Sequence, residues 1–186
     1  MYFLLRYVLR RTDCEKEWIF ERCREVQKDP DGHLDLWPRF HYKSTIITYA
    51  LTIQEILRNP EVTIGIFSHT RPIAKAFLRQ IKREFESNQT LQACFSEIVW
   101  ADAKQSPKWS EDDGITVRRQ SNPKEATVEA WGLVDGMPVA KHFSIRVYDD
   151  IVTRESVSTP EMVAKTTDAL RLSYALGMEG GRQRMI

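Results

Sequence analysis

The sequence predicts an α/β fold, a mostly parallel sheet covered by helices on both faces. Three observations carry that expectation. Residues 62–67, VTIGIF, form a continuous apolar run rich in β-branched side chains, the composition of a strand buried on both faces. Residues 143–148, FSIRVY, form a second strand-like run and end in the adjacent acids Asp149 and Asp150. Segments of helical periodicity alternate with these runs, as in a sheet wound by crossover connections.

At 186 residues the chain is one domain or part of one, and a hydrophobic content of 42% is enough for a real core. Its 27 basic and 26 acidic residues nearly cancel. No overall field draws it to nucleic acid, and any such contact needs a local patch. Cys14, Cys23 and Cys94 have neither CxxC nor zinc spacing and are expected to be reduced, buried thiols of a cytosolic protein. The opening MYFLLRYVLRR is too short an apolar run, broken by Arg6, to be a membrane segment.

In chain order, Thr12 and Glu15 have capping-box spacing, which predicts a helix to about Lys28 burying Trp18, Ile19, Cys23 and Val26. Asp29-Pro30-Asp31-Gly32 is a turn, and residues 34–37 alternate like a short strand that Pro38 ends. An apolar helix follows over 46–57. Pro72 opens another helix, to Glu86, with Ile73, Phe77, Ile81 and Phe85 as its buried stripe and Lys75, Arg79, Lys82 and Arg83 as a solvated face. A short helix is expected within 88–99. Residues 101–114 read as a surface loop despite Trp109, Lys104 and Lys108. Short strands are expected at 115–119 and 126–131, a loop at 132–141, and a last helix from 159 to 176 that Gly177 ends.

The stretch LDLWPRFHYKST organises the rest. A strand, a tight turn at Arg39-Phe40-His41-Tyr42, and Lys43-Ser44-Thr45 at a helix start have the layout of a phosphate-binding loop. There backbone N–H groups attract anions, the lysine reaches the outer phosphates and the serine can ligate Mg²⁺. Both glycines of GxxxxGK[ST] are missing, with Trp37 or Pro38 and Tyr42 near their positions. Asp149 and Asp150 follow about a hundred residues later, where a strand leaves the sheet; this is the form of a Walker B segment, in which the first acid holds Mg²⁺ and the second polarises water, and also that of an ordinary surface turn. His33, His41, His69 and His142 do not pair at metal-ligand spacing. Ser68 and His69 end a central strand, where a substrate-side role and loop capping are both open.

Three segments, HLDLWPRFHYKSTIIT, TIGIFSHTRPIAKAFLRQIKREFE and TVEAWGLVDGMPVAKHFSIRVYDDIVT, resemble the N-terminal ATPase portion of a tailed-phage terminase large subunit. The likeness spans nearly the whole chain. It implies a P-loop NTPase core of RecA/ASCE type over 33–186, after a helical lead-in over 1–32, with no nuclease domain. ATP and Mg²⁺ would be cofactors. Arg39, Phe40, His41, Tyr42, Lys43, Ser44 and Thr45 would hold the nucleotide, Lys43 at the β/γ-phosphates and Arg39 neutralising charge. Ser44 and Asp149 would ligate Mg²⁺, and Asp150 would orient the attacking water. Arg119 and Arg154 are candidates for a charge-stabilising arginine, solvated surface arginine being the alternative for each. Phe40, Tyr42 and Ala140 depart from the smaller residues or glycine of that family.

The implied partners are double-stranded DNA, a portal protein, a small terminase subunit and further copies in a ring, in the host cytoplasm and away from membranes. In that family the strand after the acid pair lies between the acid strand and the loop strand. Here it is expected to start near Arg182, leaving a C-terminally incomplete sheet with a gap. The rival readings are a nucleotide- or DNA-binding fragment with a decayed loop and a small kinase, for which no acceptor lid is found.

Overall fold

The computed structural model describes residues 1–186 as a seven-stranded mixed sheet between helices. The strands are β1 His33–Leu34, β2 Ile64–Thr70, β3 Trp109–Ser110, β4 Gly114–Ile115, β5 Val128–Asp135, β6 Phe143–Tyr148 and β7 Gly177–Met185, in the order β1-β7-β6-β2-β5-β4-β3. The pairs from β1 to β5 are parallel; β4 and β3 add an antiparallel edge. The helices are α1 Glu17–Lys28, α2 Thr52–Arg58, α3 Arg71–Ser87, α4 Gln89–Cys94 and α5 Pro160–Ser173, and a π-helical stretch, Thr45–Leu51, runs directly into α2. No helix is long and apolar enough to cross a membrane.

Strand alternation divides the core in two. Ile64 and Ile66 of β2, with Val128 of β5, face the side covered by α1, the Thr45–Arg58 helix and α3. Phe67, Leu133 and Tyr148 face the other side, covered by Ala169 of α5 and Leu176, and Phe143 joins them across the irregularity that separates it from Ile145 in β6. The Phe67 ring stacks on Tyr148 at 5.3 Å and meets Phe143 edge-on at 5.9 Å. A Cβ at Gly65 would stand 2.8 Å from both the Phe67 and Phe143 rings, so this strand position requires glycine.

The strand after the acid pair does lie between β6 and β1, but it starts at Gly177 and leaves no gap. Ile145 pairs with Arg182 and Tyr148 with Met185 on one edge; His33 pairs with Arg184 and Leu34 with Met185 on the other. The helical run ends at Gly177 as expected: it follows the 3-10 turn Tyr174–Leu176 with φ −82° and is also the first residue of β7. The Gly180-Gly181 pair, just before the expected start, lies within an irregular stretch of the strand.

Other expectations shift in the same way. The capping box does not form: Thr12–Cys14 is a separate 3-10 turn, and α1 starts at Glu17 with no side-chain cap. Its buried residues are Ile19, Cys23 and Val26, with Trp18 half-buried. β1 is only His33–Leu34: the Asp35 N–H still donates to Met185 O at 2.8 Å, and beyond it the chain leaves β7 towards Pro38. The buried stripe of α3 is Ala74, Leu78, Ile81 and Phe85, so Ile73 and Phe77 lie at its margin. β5 continues to Asp135, through the first four residues of the expected loop, since Gly132 and Leu133 are buried against the second core. The basic face of α3 is engaged: Arg79 makes a bidentate pair with Glu111 at 2.6 Å and Lys75 pairs with Asp112, while Lys82 and the Trp109 indole share Glu86. These contacts pin down the segment read as a free loop, which forms the β3–β4 hairpin. Cys14 and Cys23 are buried, but Cys94 at the end of α4 is exposed.

Candidate functional site

β1 leads through Asp35–Tyr42 into the helix that begins at Lys43. The Ile46 N–H donates to Tyr42 O at 2.8 Å and closes the first turn. Phe40 and Tyr42 have φ of +65° and +58°, and Ala140, beyond β5, has φ of +57°. All three therefore occupy left-handed backbone, where glycine is at ease and an L-residue is strained. Tyr42 is held there by packing: its ring lies 6.1 Å from Trp18, with the Lys16 ammonium 5.2 Å above it. His41 also packs on Trp18 and its Nδ1 is 2.9 Å from Arg39 O. Phe40 and Arg39 point into solvent, and Arg39 makes no side-chain hydrogen bond or ion pair.

The loop helix and the acid pair meet at the carboxyl end of the sheet. Ser44 Oγ donates to Asp149 Oδ1 at 3.3 Å, and Thr48 Oγ1, one turn further on, donates to Asp149 Oδ2 at 2.5 Å. Lys43 Nζ lies 3.8 Å from Asp150 Oδ1. Asp149 is fully buried. Burial pushes its carboxyl above the usual range, against the opposing hydrogen bonds from Thr48 and Ser44; the charge of Asp150 adds to the rise and Lys43 counters it. Asp150, at φ +53°, turns the chain out of β6 and keeps its carboxylate in solvent. The backbone ties this corner to β2, with Asp149 N–H on Phe67 O at 2.8 Å and His69 N–H on Asp150 O at 3.2 Å.

The fold brings Lys43, Ser44, Asp149 and Asp150 together as expected, and Arg39, Phe40 and Thr45 make no side-chain hydrogen bond or ion pair to the acids. Two participants had no sequence signal of their own. Thr48 reads as one more residue of an apolar helix, and Trp18 as core. Ser68 and His69, left open, are buried with Ser68 Oγ and His69 Nδ1 unpartnered; the Phe67–Tyr148 register puts Ser68 beside Asp149. Arg119 lies at the opposite end of the sheet, donating Nη2 to Glu125 O at 2.6 Å, and burial lowers its pKa. Arg154 is exposed in the loop that follows Asp150. A cavity of about 600 Å³ also opens at that opposite end, lined by Glu61, Glu125, His142 and Arg182, away from both acids of the pair.

There is no cluster of three or more His, Cys, Asp and Glu that could hold a metal by itself. Mg²⁺ does not need one, since it commonly takes one or two carboxylates and completes its shell with water and substrate phosphates. Asp149 and Ser44 offer two hard oxygens 3.3 Å apart, and the buried Asp149 carboxylate has no cationic side chain bonded to it. The donor set fits that cation. Beside the loop, a cleft of about 540 Å³ is lined by Trp18, Arg22, Leu36, Trp37, Pro38 and His41. No model of a known protein family matches the chain, and no curated protein sequence is significantly similar to it.

Proposed function

We propose that the chain is a P-loop-type ATPase whose phosphate site is the Arg39–Thr45 loop, acting in the cytoplasm of an infected bacterium as the ATPase of a viral DNA-packaging motor. One observation carries the ATPase reading: Ser44 and Thr48 converge on buried Asp149 while Lys43 faces Asp150, at the carboxyl end of a parallel sheet. The packaging role rests on the three-segment sequence resemblance. With it come double-stranded DNA, a portal, a small terminase subunit and a ring of copies as partners.

In this reading Lys43 exchanges Asp150 for the β/γ-phosphates, and the backbone N–H groups at the start of the helix bind the same anion. Ser44 and Asp149 would hold Mg²⁺, which when bound neutralises phosphate charge. Asp150, released from Lys43, orients the attacking water and accepts its proton. Arg39 is free to swing onto the nucleotide, and the Trp18–Trp37 cleft offers flat apolar surface beside the phosphates. Phosphoryl transfer asks chiefly for such positioning and electrostatic stabilisation.

A second reading, nucleotide binding without turnover, is favoured by the bulky side chains at both left-handed loop positions. Phosphate release by the purified chain, with and without Mg²⁺, separates the two. Lys43→Ala is expected to lower the rate by about a hundredfold or more. Metal-dependent ATP binding without any release selects the second reading, and near wild-type turnover in Lys43→Ala sinks the loop assignment.

A further inference from the structure

We propose that Thr48 is a positioning residue for Asp149: its hydroxyl holds one carboxylate oxygen so that the other stays turned towards Ser44 and the metal. This rests on the reading above, in which Asp149 and Ser44 bind Mg²⁺. A threonine inside a helix commonly returns its hydroxyl to the carbonyl four residues earlier. Thr166 and Thr167 of α5 do so, donating to Met162 O at 2.9 Å and Val163 O at 2.8 Å. Thr48 does not. Its hydroxyl crosses to Asp149 Oδ2 at 2.5 Å, between two fully buried side chains.

The two bonds to this carboxylate are unequal. Ser44 reaches Oδ1 at 3.3 Å, longer than the usual O–H···O range, while Thr48 is at the short end of it. A cation bound by Oδ1 and Ser44 Oγ needs lone pairs from both oxygens, so the Ser44 proton must turn away. Thr48 is then the one side chain still bonded to Asp149, and it fixes the rotation of the carboxylate. Without it a buried acid keeps its desolvation cost and loses its orientation.

The test uses the full chain and ATP, with Mg²⁺ and, for a spectroscopic signal, Mn²⁺. Thr48→Val keeps the side-chain shape and removes the hydroxyl. It is expected to raise the half-saturating metal concentration for ATP binding by about tenfold or more, as loss of a bond to a metal-ligating group does. ATP affinity without metal stays at the wild-type level. Thr48→Ser restores the wild-type metal dependence because the hydroxyl is back. Mn²⁺ bound by the protein–ATP complex, counted by paramagnetic resonance, follows the same order. If Thr48→Val does not fold, Thr48→Ala serves as the hydroxyl-free variant.

Wild-type half-saturation in a hydroxyl-free variant overturns the proposal, and so does a weakening in Thr48→Ser as large as in Thr48→Val. Equal loss of ATP binding with and without metal overturns it too, by marking Thr48 as packing only. If the wild-type chain binds ATP with no dependence on metal, the reading of the site fails and takes the proposal with it.

Discussion

Arg184 and Asp35 form a buried bidentate ion pair: Nε donates to Oδ2 at 2.6 Å and Nη2 to Oδ1 at 3.0 Å. Nη1 of the same guanidinium donates to Asp29 O at 2.8 Å, at the end of α1. One side chain on the inserted strand β7 thus ties together α1, β1 and the start of the loop that carries Lys43 and Ser44. Both partners are nearly buried, at 5% and 11% side-chain exposure. Removing one alone strands an uncompensated charge, which costs about 3–5 kcal/mol. Asp35→Ala is expected to lower the unfolding free energy by that amount in urea titrations. The double variant Asp35→Leu, Arg184→Met should recover most of it, because an apolar pair leaves no charge behind. If the double variant is as unstable as the single one, it is the hydrogen bonds of Arg184 to the α1 carbonyls that hold the strand.

The elements legible in the sequence are those with long, one-signed patterns. β6 was legible to the residue, and β2, α3 and α5 nearly so, because continuous apolar runs and proline-initiated helices leave little choice. The convergence of Ser44 on Asp149 was legible as well, through the sequence resemblance that assigns both residues to one cation. β7 was not: GMEGGRQRM has three glycines and few apolar residues, and it is a strand because two neighbouring strands need its backbone, not because its side chains favour one. Thr48 was illegible for a related reason. Its partner lies 101 residues away, and helical periodicity records only which face a residue occupies.

The left-handed positions yield a graded prediction. Phe40 is 94% exposed, so Phe40→Gly relieves about 1–2 kcal/mol of backbone strain while giving up almost no contact. Glycine's larger unfolded-state entropy takes back about 0.5–1 kcal/mol, leaving a small net gain in stability. Ala140→Gly should behave in the same way. Tyr42→Gly should not, since it also deletes the ring that packs on Trp18 and beneath Lys16. Thermal melts of the three variants are expected to place Phe40→Gly and Ala140→Gly at or above wild type and Tyr42→Gly below it. The same order reversed would mean that the loop is not strained at Phe40.

The cysteines separate by burial. Burial pushes the Cys14 thiol up to about 11 and the Cys23 thiol up to about 12, so neither has appreciable thiolate at neutral pH. Cys94 is exposed at the end of α4. Native alkylation with iodoacetamide at neutral pH, followed by peptide mass mapping, should therefore label Cys94 alone. Cys14 and Cys23 become reactive only when the chain is unfolded in denaturant. Labelling of Cys23 under native conditions would indicate that α1 detaches from the core.

Asp149 should oppose stability when no cation is bound. Burial raises its folded-state pKa above the unfolded value of 3.8, so the folded chain favours the protonated acid. Well below 3.8 both states are protonated and there is no penalty. As pH rises through the unfolded and then the raised folded value, the unfolded chain releases its proton first and stability is lost; the full penalty is present once both states are ionised. Asp149→Asn carries no charge to desolvate; its amide oxygen accepts from one of the two hydroxyls, Thr48 or Ser44, and its NH2 donates to the other, whose proton turns away. The variant is therefore expected to be more stable than wild type at neutral pH without metal or nucleotide, and the difference should shrink as the pH is lowered towards 3.8. Adding Mg²⁺ and ATP should reverse the order. A ligand that binds only the folded wild-type chain stabilises it by mass action, and on the proposed reading the asparagine variant, which lacks a metal-ligating carboxylate, gains less. Urea titrations of both proteins at neutral and acid pH, each with and without Mg·ATP, test the two signs separately. A variant less stable than wild type without ligand would show that the Asp149 charge is compensated within the fold. An order that Mg·ATP leaves unchanged would remove Asp149 from the metal site.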